Sequence, residues 1–451
     1  MSNYSNIGLF VDDFIKYNNK TAIIYEGVQV SYATLEERIR FWESKFNGVY
    51  NGKIVGLESD FSPETIAILF ALISVGAIVA PLDKNHKDKN ERKAEIAQID
   101  FMIEVHSENN ITTRQLNNSK EKNPLYTKLS GDRPGLVLFT SGSSGMPKGA
   151  LHDFSKLLAK FTVKRKALKT VNFLLFDHWG GLNTLFHILS NGGTVYVLES
   201  RTPDYVCALI EKYEVELLPT SPTFLNMLLL SKAYIRHSLK SLKVISYGAE
   251  PMPENLLKLL NQVFPDVKLQ QTYGLIELGV MRSQSESNGS LWVKLGGEGF
   301  ESRIVDNMLQ IKSESAMIGY LNAESPFTED GWFKTGDAVE VKGDYFKILG
   351  RKSELINVGG EKVYPQEVEN LILEIDNIKD VVVFGEKNPM TGNIVCARVV
   401  LNEPEELSSV KQKIRTYCKQ RVESFKVPVK VFIEEDMLHT ERFKKNRQMG
   451  K

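Results

Sequence analysis

Hydrophobic positions along the chain follow two rhythms, and the change comes about two-thirds of the way through. Early on, short apolar or β-branched runs at 136–140 (LVLFT), 171–176 (VNFLLF), 194–198 (TVYVL) and 244–247 (VISY) have the length of buried strands. Segments with helical spacing lie between them, among them 182–189 and 254–263. Such alternation predicts parallel sheet in an α/β domain, with ligands bound beyond the strands' carboxyl ends. The stretch 66–82 is nearly all apolar, yet it falls short of the roughly 20 residues of a membrane span and contains Ser74, Gly76 and Pro81. Ser62, Pro63 and Glu64 just upstream have the character of a helix start. The stretch therefore reads as a buried helix ending near Gly76, followed by a buried strand over 77–82.

From about residue 291 short strand-like pieces are punctuated by Gly296 and Gly297, Gly299, Asp306 and Asn307, Asp330 and Gly331, and Gly343 and Asp344. Those turn signals predict antiparallel hairpins or a small β-barrel-like part. Beyond Gly350 a helix over 365–374, strands over 381–384 and 394–401, and a helix over 407–421 make a small α+β unit. The expected fold class is α/β. A large N-terminal domain (residues 1–350) has parallel sheets and the barrel-like part, and a small α+β C-terminal domain spans 351–451. The segment 109–123 is the most loop-like.

At 451 residues the chain exceeds one ordinary core, which agrees with at least two domains. Lys plus Arg and Asp plus Glu are both 56, so no net charge draws the protein toward nucleic acid or an anionic membrane. Cys207, Cys396 and Cys418 are far apart and odd in number, which speaks against a disulfide framework or a zinc site and suits a reducing cytoplasm. The first residues lack the basic-then-apolar order of a secretory leader.

The densest chemistry lies in Thr140, Ser141, Gly142, Ser143, Ser144, Gly145, Met146, Pro147, Lys148 and Gly149, directly after a predicted buried strand and ahead of a helical stretch over 154–161. The glycines let backbone N–H groups turn toward an anion, the hydroxyls add donors, and Lys148 adds positive charge. A mere flexible turn would not need the packed hydroxyls or the Pro-Lys-Gly ending, so the loop reads as a phosphate cradle. It is not a Walker A loop, because Gly149 follows Lys148 where that motif has Ser or Thr.

This segment resembles the phosphate loop of the adenylate-forming superfamily: acyl- and aryl-CoA synthetases, peptide-synthetase adenylation domains and firefly-type luciferases. Further motifs follow in the family's order across nearly the whole chain. Residues 77–83 (AIVAPLD) are similar to an early core segment, 248–253 (GAEPMP) to the adenine turn, and 271–277 (QTYGLIE) to the Tyr-Gly-x-Thr-Glu motif. Residues 330–337 (DGWFKTGD) resemble the ribose motif, and 349–365 the hinge. The resemblance implies ATP and Mg²⁺ as cofactors. The loop from Thr140 to Lys148 would hold the departing phosphates, and Glu277 would ligate Mg²⁺ beside the α-phosphate. Asp337 and Arg351 would bind the ribose hydroxyls, Tyr273 would stack on adenine beside Thr272 and Gly274, and Gly248, Ala249 and Glu250 would line the base edge.

The ending at 438–447 (LHTERFKKNR) is similar to the family's terminal motif, in which a lysine stabilises the adenylation transition state. Anchoring on Thr440 puts that role on Lys444; His439 and Phe443 replace the family's Pro and Gly, and Lys445 stays open as the alternative. Ile276 stands where the family usually has a Thr that contacts the α-phosphate, a loss that Thr272 could cover. Ser353 stands at the hinge about which the tail domain turns, where Asp or Lys is usual.

Around the acyl pocket two registrations compete. His178 with Gly181 resembles the His-x-x-Gly of acyl- and aryl-CoA ligases, where the His flanks the reacting carboxylate. Asp177 instead resembles the adenylation-domain residue that pairs with an amino acid's ammonium, and a core histidine is the third reading. Ser246, Thr272 and Leu278 would complete the wall. No carrier-protein serine motif follows the terminal lysines, so the resemblance implies a separate acceptor, either coenzyme A or a carrier protein's phosphopantetheine. A catalytically degenerate nucleotide binder is the reading from another class; for a luciferase-like oxidation no residue speaks.

Overall fold

The computed structural model describes residues 11–116, 121–129, 133–141, 146–297 and 299–435. Ser62 caps the helix Pro63–Ser74, its Oγ accepting from the Thr65 N–H at 3.1 Å, with Pro63 in the first turn. Every residue from Pro63 to Ile73 is buried. The helix gives way at Gly76, whose φ of +74° favours glycine, and the chain enters the buried strand Ile78–Asp83. The apolar stretch is thus a core helix and strand, and among the described residues no helix is long and apolar enough to cross a membrane.

That strand belongs to a seven-stranded sheet that orders Gly319–Tyr320, Pro147–Asp153, Gly135–Ser141, Ile78–Asp83, Ile54–Ser59, Phe101–Ser107 and Asn110–Gln115. Its centre is parallel and its edges antiparallel. A second seven-stranded sheet orders Lys268–Gln271, Val244–Tyr247, Leu217–Thr220, Thr170–Asn172, Val195–Val197, Thr21–Tyr25 and Val28–Ser31, parallel except for the last hairpin. Helices fill the space between the sheets. One continuous core joins Ile23, Val195 and Val197 of the second sheet to Val55, Val79 and Leu136 of the first through Phe70 and Phe186, whose rings lie 5.3 Å apart.

The antiparallel texture expected after residue 291 is a six-stranded sheet running from Arg282–Ser285 to Phe300–Val305 at its two ends. The chain then forms a smaller α+β unit. Ile378–Asn388 and Gly392–Leu401 pair antiparallel, Lys430–Ile433 adds in parallel, and the helices Pro365–Ile372 and Leu407–Lys419 cover the sheet. Ile372, Val381, Val383 and Ile414 form its core. The unit meets the larger part where Asn255 Nδ2 donates to the Leu373 carbonyl and Gln366 Nε2 to that of Met252, each at 3.4 Å.

Three expectations are corrected. The glycine-rich loop does not lead from a strand into a helix. It joins two antiparallel strands, with Thr140 opposite Lys148, because Ala150, Leu151 and His152 are all buried and continue the sheet; the helix Phe154–Leu158 follows only then. The run 171–176 is strand only over Thr170–Asn172; Phe173 and Phe176 are buried without pairing, since an apolar run reports burial and not hydrogen bonding. Within 109–123, Asn110–Gln115 forms a strand on the sheet edge, with Ile111 opposite Val105.

Candidate active site

Three neighbouring strands of the second sheet end side by side at Thr220, Tyr247 and Gln271, and the adenine-turn and Tyr-Gly segments singled out in the sequence follow two of them. Thr272 donates to the Tyr247 carbonyl through its N–H at 2.7 Å and its hydroxyl at 3.0 Å. Gly248 packs against it so closely that a Cβ there would stand 2.4 Å from Thr272 Oγ1, which excludes any side chain. Ala249 sits at φ +68°, a left-handed conformation that a side chain adopts only at a cost. Glu250 accepts from the Thr223 N–H at 2.7 Å, at the start of the helix Pro222–Ser231 that follows the strand ending at Thr220. Ser246, half-buried, lies one position before Tyr247 on its strand.

Asp337 and Arg351 face each other across the strands Phe333–Lys342 and Tyr345–Arg351, with Nε 3.3 Å from Oδ1. The Tyr273 hydroxyl donates to Asp337 Oδ2 at 2.5 Å. Asp337 is buried, and that burial raises its pKa against the opposing pull of Arg351 and Tyr273. Burial and the neighbouring Asp337 push the phenol of Tyr273 far up as well. The Tyr273 ring packs in the core of the antiparallel sheet, and its hydroxyl ties it to the carboxylate of Asp337.

Glu277, half-buried, accepts a short hydrogen bond from the Tyr320 hydroxyl, and Lys148 Nζ lies 5.3 Å from the centroid of the Tyr320 ring. The cation at the loop's exit and the carboxylate of the Tyr-Gly motif thus meet on one aromatic ring. Tyr320 reaches them because Gly319–Tyr320 pairs antiparallel with Ala150 and Leu151. Asn322 grips the backbone on both sides of Lys148, donating to the Pro147 carbonyl at 2.9 Å and accepting from the Gly149 N–H at 3.0 Å. Among the described residues no cluster of three or more His, Cys, Asp or Glu could hold a metal by itself. A single carboxylate such as Glu277 suits Mg²⁺, which is commonly held by one or two carboxylates together with substrate phosphates. Gly142, Ser143, Ser144, Gly145, Lys444 and Lys445 lie outside the described residues, and Ser141 is described only as the strand residue opposite Pro147.

Residues 12–307 match the AMP-binding enzyme family, and residues 367–444 match the C-terminal domain of AMP-binding enzymes. The chain belongs to the AMP-binding enzyme family. It is an enzyme of the AMP-forming acid–thiol ligase type, as the motifs implied. It is 26% identical to a 2-succinylbenzoate–CoA ligase of Listeria innocua, over 93% of this chain and 94% of that one. It is also 26% identical to an indoleacetate–CoA ligase of Aromatoleum aromaticum, over 93% and 92%. The o-succinylbenzoate CoA synthetase of Bacillus subtilis, solved with an acyl-adenylate, shares the fold with a TM-score of 0.76 at 20% identity, covering 98% of this chain and 97% of that one.

In this AMP-binding enzyme His178, a candidate from the sequence for the acyl pocket, directly precedes the helix Trp179–Ser190, and its carbonyl accepts from the Gly181 and Leu182 N–H groups. A Cβ on Gly181 would stand 2.2 Å from the Leu175 carbonyl oxygen, so only glycine lets the first turn of the helix lie this close to the segment that follows the strand. Asp177 is buried, and Lys93 of the helix Lys87–Ala97 places Nζ 3.4 Å from its Oδ2. That ammonium comes from the protein itself. Leu278 is fully buried, its carbonyl accepting from Ser315 Oγ at 2.8 Å, and Ile276 packs into the apolar core where the family usually has a Thr. Ser353 is exposed in the short turn Lys352–Glu354, directly after Arg351.

Sequence reasoning missed Tyr320, Asn322 and Lys93. Lys93 left a signal: with Asn90, Ala94 and Ala97 it occupies the i, i+3, i+4, i+7 face that the helix buries. Tyr320 and Asn322 left none, because a two-residue strand pairing is invisible to periodicity.

Proposed function

We propose that this AMP-binding enzyme joins a carboxylic acid to the α-phosphate of ATP and transfers the acyl group to the thiol of coenzyme A. In the first half an oxygen of the acid attacks the α-phosphorus, the bond from that phosphorus to the bridging oxygen breaks, and pyrophosphate leaves with the bonding electrons. In the second half the thiol sulfur, its proton lost, attacks the acyl carbon and AMP departs. Lys148 and the loop before it hold the departing phosphates, with donors aimed at developing charge. Asp337 and Arg351 hold the ribose, and Tyr273 fixes the carboxylate that does so. Glu277 would hold Mg²⁺, which when bound neutralises phosphate charge. His178 flanks the reacting carboxylate, and Lys444 supplies positive charge at the first transition state. Residues 1–350 bind both substrates, and residues 351–451 form a lid that turns about Ser353 between the two halves.

The observation that supports this reading is the Lys148, Tyr320 and Glu277 assembly, a cation and a carboxylate gathered on one aromatic ring, with the cation in the segment whose sequence reads as a phosphate cradle. The pairing of Asp177 with Lys93 favours a simple acid over an amino acid, since the carboxylate that would receive a substrate ammonium already has one. The names of the relatives favour coenzyme A as acceptor over a carrier protein's phosphopantetheine. Three buried thiols fit a reducing cytoplasm. The test is ATP- and Mg²⁺-dependent pyrophosphate release over fatty, aromatic, hydroxy and amino acids, with hydroxylamine trapping the adenylate. Release with one acid class and a trapped hydroxamate is the expected result; silence across the panel with ATP bound contradicts it.

A further inference from the structure

Two donors beside the acyl pocket have no acceptor that matches them. Lys160 lies in the short turn Ala159–Thr162, and among the described residues its Nζ donates only to the Val280 carbonyl, at 3.2 Å. The ammonium lies 5.1 Å from the Phe161 ring centroid and 5.7 Å from that of Trp179. Among the described residues no carboxylate pairs with it, and the positive charge of Arg165 repels it. Although Lys160 as a residue is only half-buried, the apolar surroundings of its ammonium and Arg165 pull its pKa down to about 7. His187, two turns along the helix from Trp179, is pushed down to about 4 by burial and by Arg165 and Lys160. Lys164, next in line, does have a carboxylate, Asp13.

The second donor is the indole N–H of Trp179. The residue is 2% exposed, and among the described residues its Nε1 has no hydrogen-bond partner. A Cβ on Gly279 would stand 3.4 Å from that nitrogen, which places the N–H against the backbone one residue before Val280. Lys160 Nζ and Trp179 Nε1 therefore share one neighbourhood. Trp179 follows His178 in sequence, and Val280 lies two positions after Leu278, so this neighbourhood sits between two segments assigned to the acyl pocket.

A buried ammonium without a counter-charge and a buried N–H without an acceptor are each costly, and folded chains rarely keep either. A single carboxylate removes both costs, accepting from Nζ and Nε1 together, in a field made positive by Arg165. We infer that Lys160 and Trp179 receive a second, distal carboxylate of the acid being activated, which makes the substrate a dicarboxylic acid. This rests on the adenylation reading above and names its substrate class. The long lysine stem lets the ammonium leave the Val280 carbonyl and meet diacids of different length.

The test compares aliphatic and aromatic diacids with their monomethyl esters in the pyrophosphate-release assay. The diacid should exceed its half-ester by roughly 10- to 100-fold in kcat/KM, carried by KM, as expected for a charge-assisted hydrogen bond. Lys160→Met should collapse that ratio, Lys160→Arg should restore most of it, and Trp179→Phe should lower it by a smaller factor. Without substrates Lys160→Met should melt at a higher temperature, because a desolvated charge is gone; a merely structural lysine would give the opposite sign. Equal use of diacid and half-ester by the unaltered enzyme overturns the inference and leaves adenylation standing. No pyrophosphate from any acid overturns the adenylation reading. The inference then stands or falls on whether a diacid alone raises the melting temperature of the unaltered protein and not of Lys160→Met.

Discussion

On the nucleotide side each carboxylate of the candidate site already has its partners: Glu277 has the Tyr320 hydroxyl, and Asp337 has Tyr273 and Arg351. On the acyl side two buried ammonium groups fare differently. Lys93 has Asp177 at 3.4 Å, while Lys160 has a backbone carbonyl and two aromatic rings. Every substrate of an adenylating enzyme brings the same nucleotide, so groups that meet it gain from being fixed in advance. The acid is what varies, and the charge that would select it is left for the acid to complete. Preorganisation and incompleteness thus mark the two halves of the proposed site.

Changes on the two sides should therefore differ in kind. The largest effect falls on the paired lysine. Asp177→Ala removes a buried carboxylate that pairs with the buried Lys93 and should destabilise the fold by about 3–5 kcal/mol. Chemical denaturation should show that loss, and much of it should return when Lys93→Met is added. Lys160→Met should stabilise, so a destabilisation of similar size by both changes would break the contrast between the two ammonium groups.

Next comes Lys444→Ala, which should slow adenylation by roughly 10²- to 10³-fold for every acid. Thioester formation from supplied acyl-adenylate should stay largely intact, and equal loss in both halves would remove Lys444 from the first transition state. Tyr320→Phe should have a smaller effect, about 10-fold, because it removes one hydrogen bond to Glu277 and keeps the ring beneath Lys148. The loss should be uniform across acids; a loss confined to one acid class would move Tyr320 to the acyl side.

The smallest expected effect is a shift with pH. Burial raises the pKa of Asp337, and the Tyr273 hydroxyl and Arg351 hold it down. Tyr273→Phe removes one of the two restraining groups, so the carboxylate protonates at higher pH than before. Only the ionised form can accept from both ribose hydroxyls. The acid limb of kcat/KM for ATP should therefore move to higher pH, by up to about one unit, with the alkaline limb in place.

Much of the scaffold was legible because local signals and burial agreed. The strand Val244–Tyr247 and the helix Glu254–Val263 have the bounds that their periodicity implies, and Ser62 and Pro63 mark their helix start in sequence and structure alike. The hairpin after the phosphate loop was not legible, because Ala150, Leu151 and His152 carry no alternation once both faces of the strand are covered. The site divided the same way. Glu277, Asp337 and Arg351 stood inside recognisable motifs, whereas Tyr320 arrives on a two-residue strand 43 positions from the carboxylate it holds. Lys160 gave no sign of itself in the sequence, since a lysine in a short turn reads as solvated until the structure places Phe161 and Trp179 beside it.

The central claim is that this chain makes an acyl-adenylate, and the most direct measurement is acid-dependent exchange of labelled pyrophosphate into ATP, without any thiol present. The account predicts exchange that needs both Mg²⁺ and an acid, strongest with a dicarboxylic acid, and lost in Lys444→Ala. Exchange absent with every acid while ATP still binds, or pyrophosphate released with no acid at all, would contradict it.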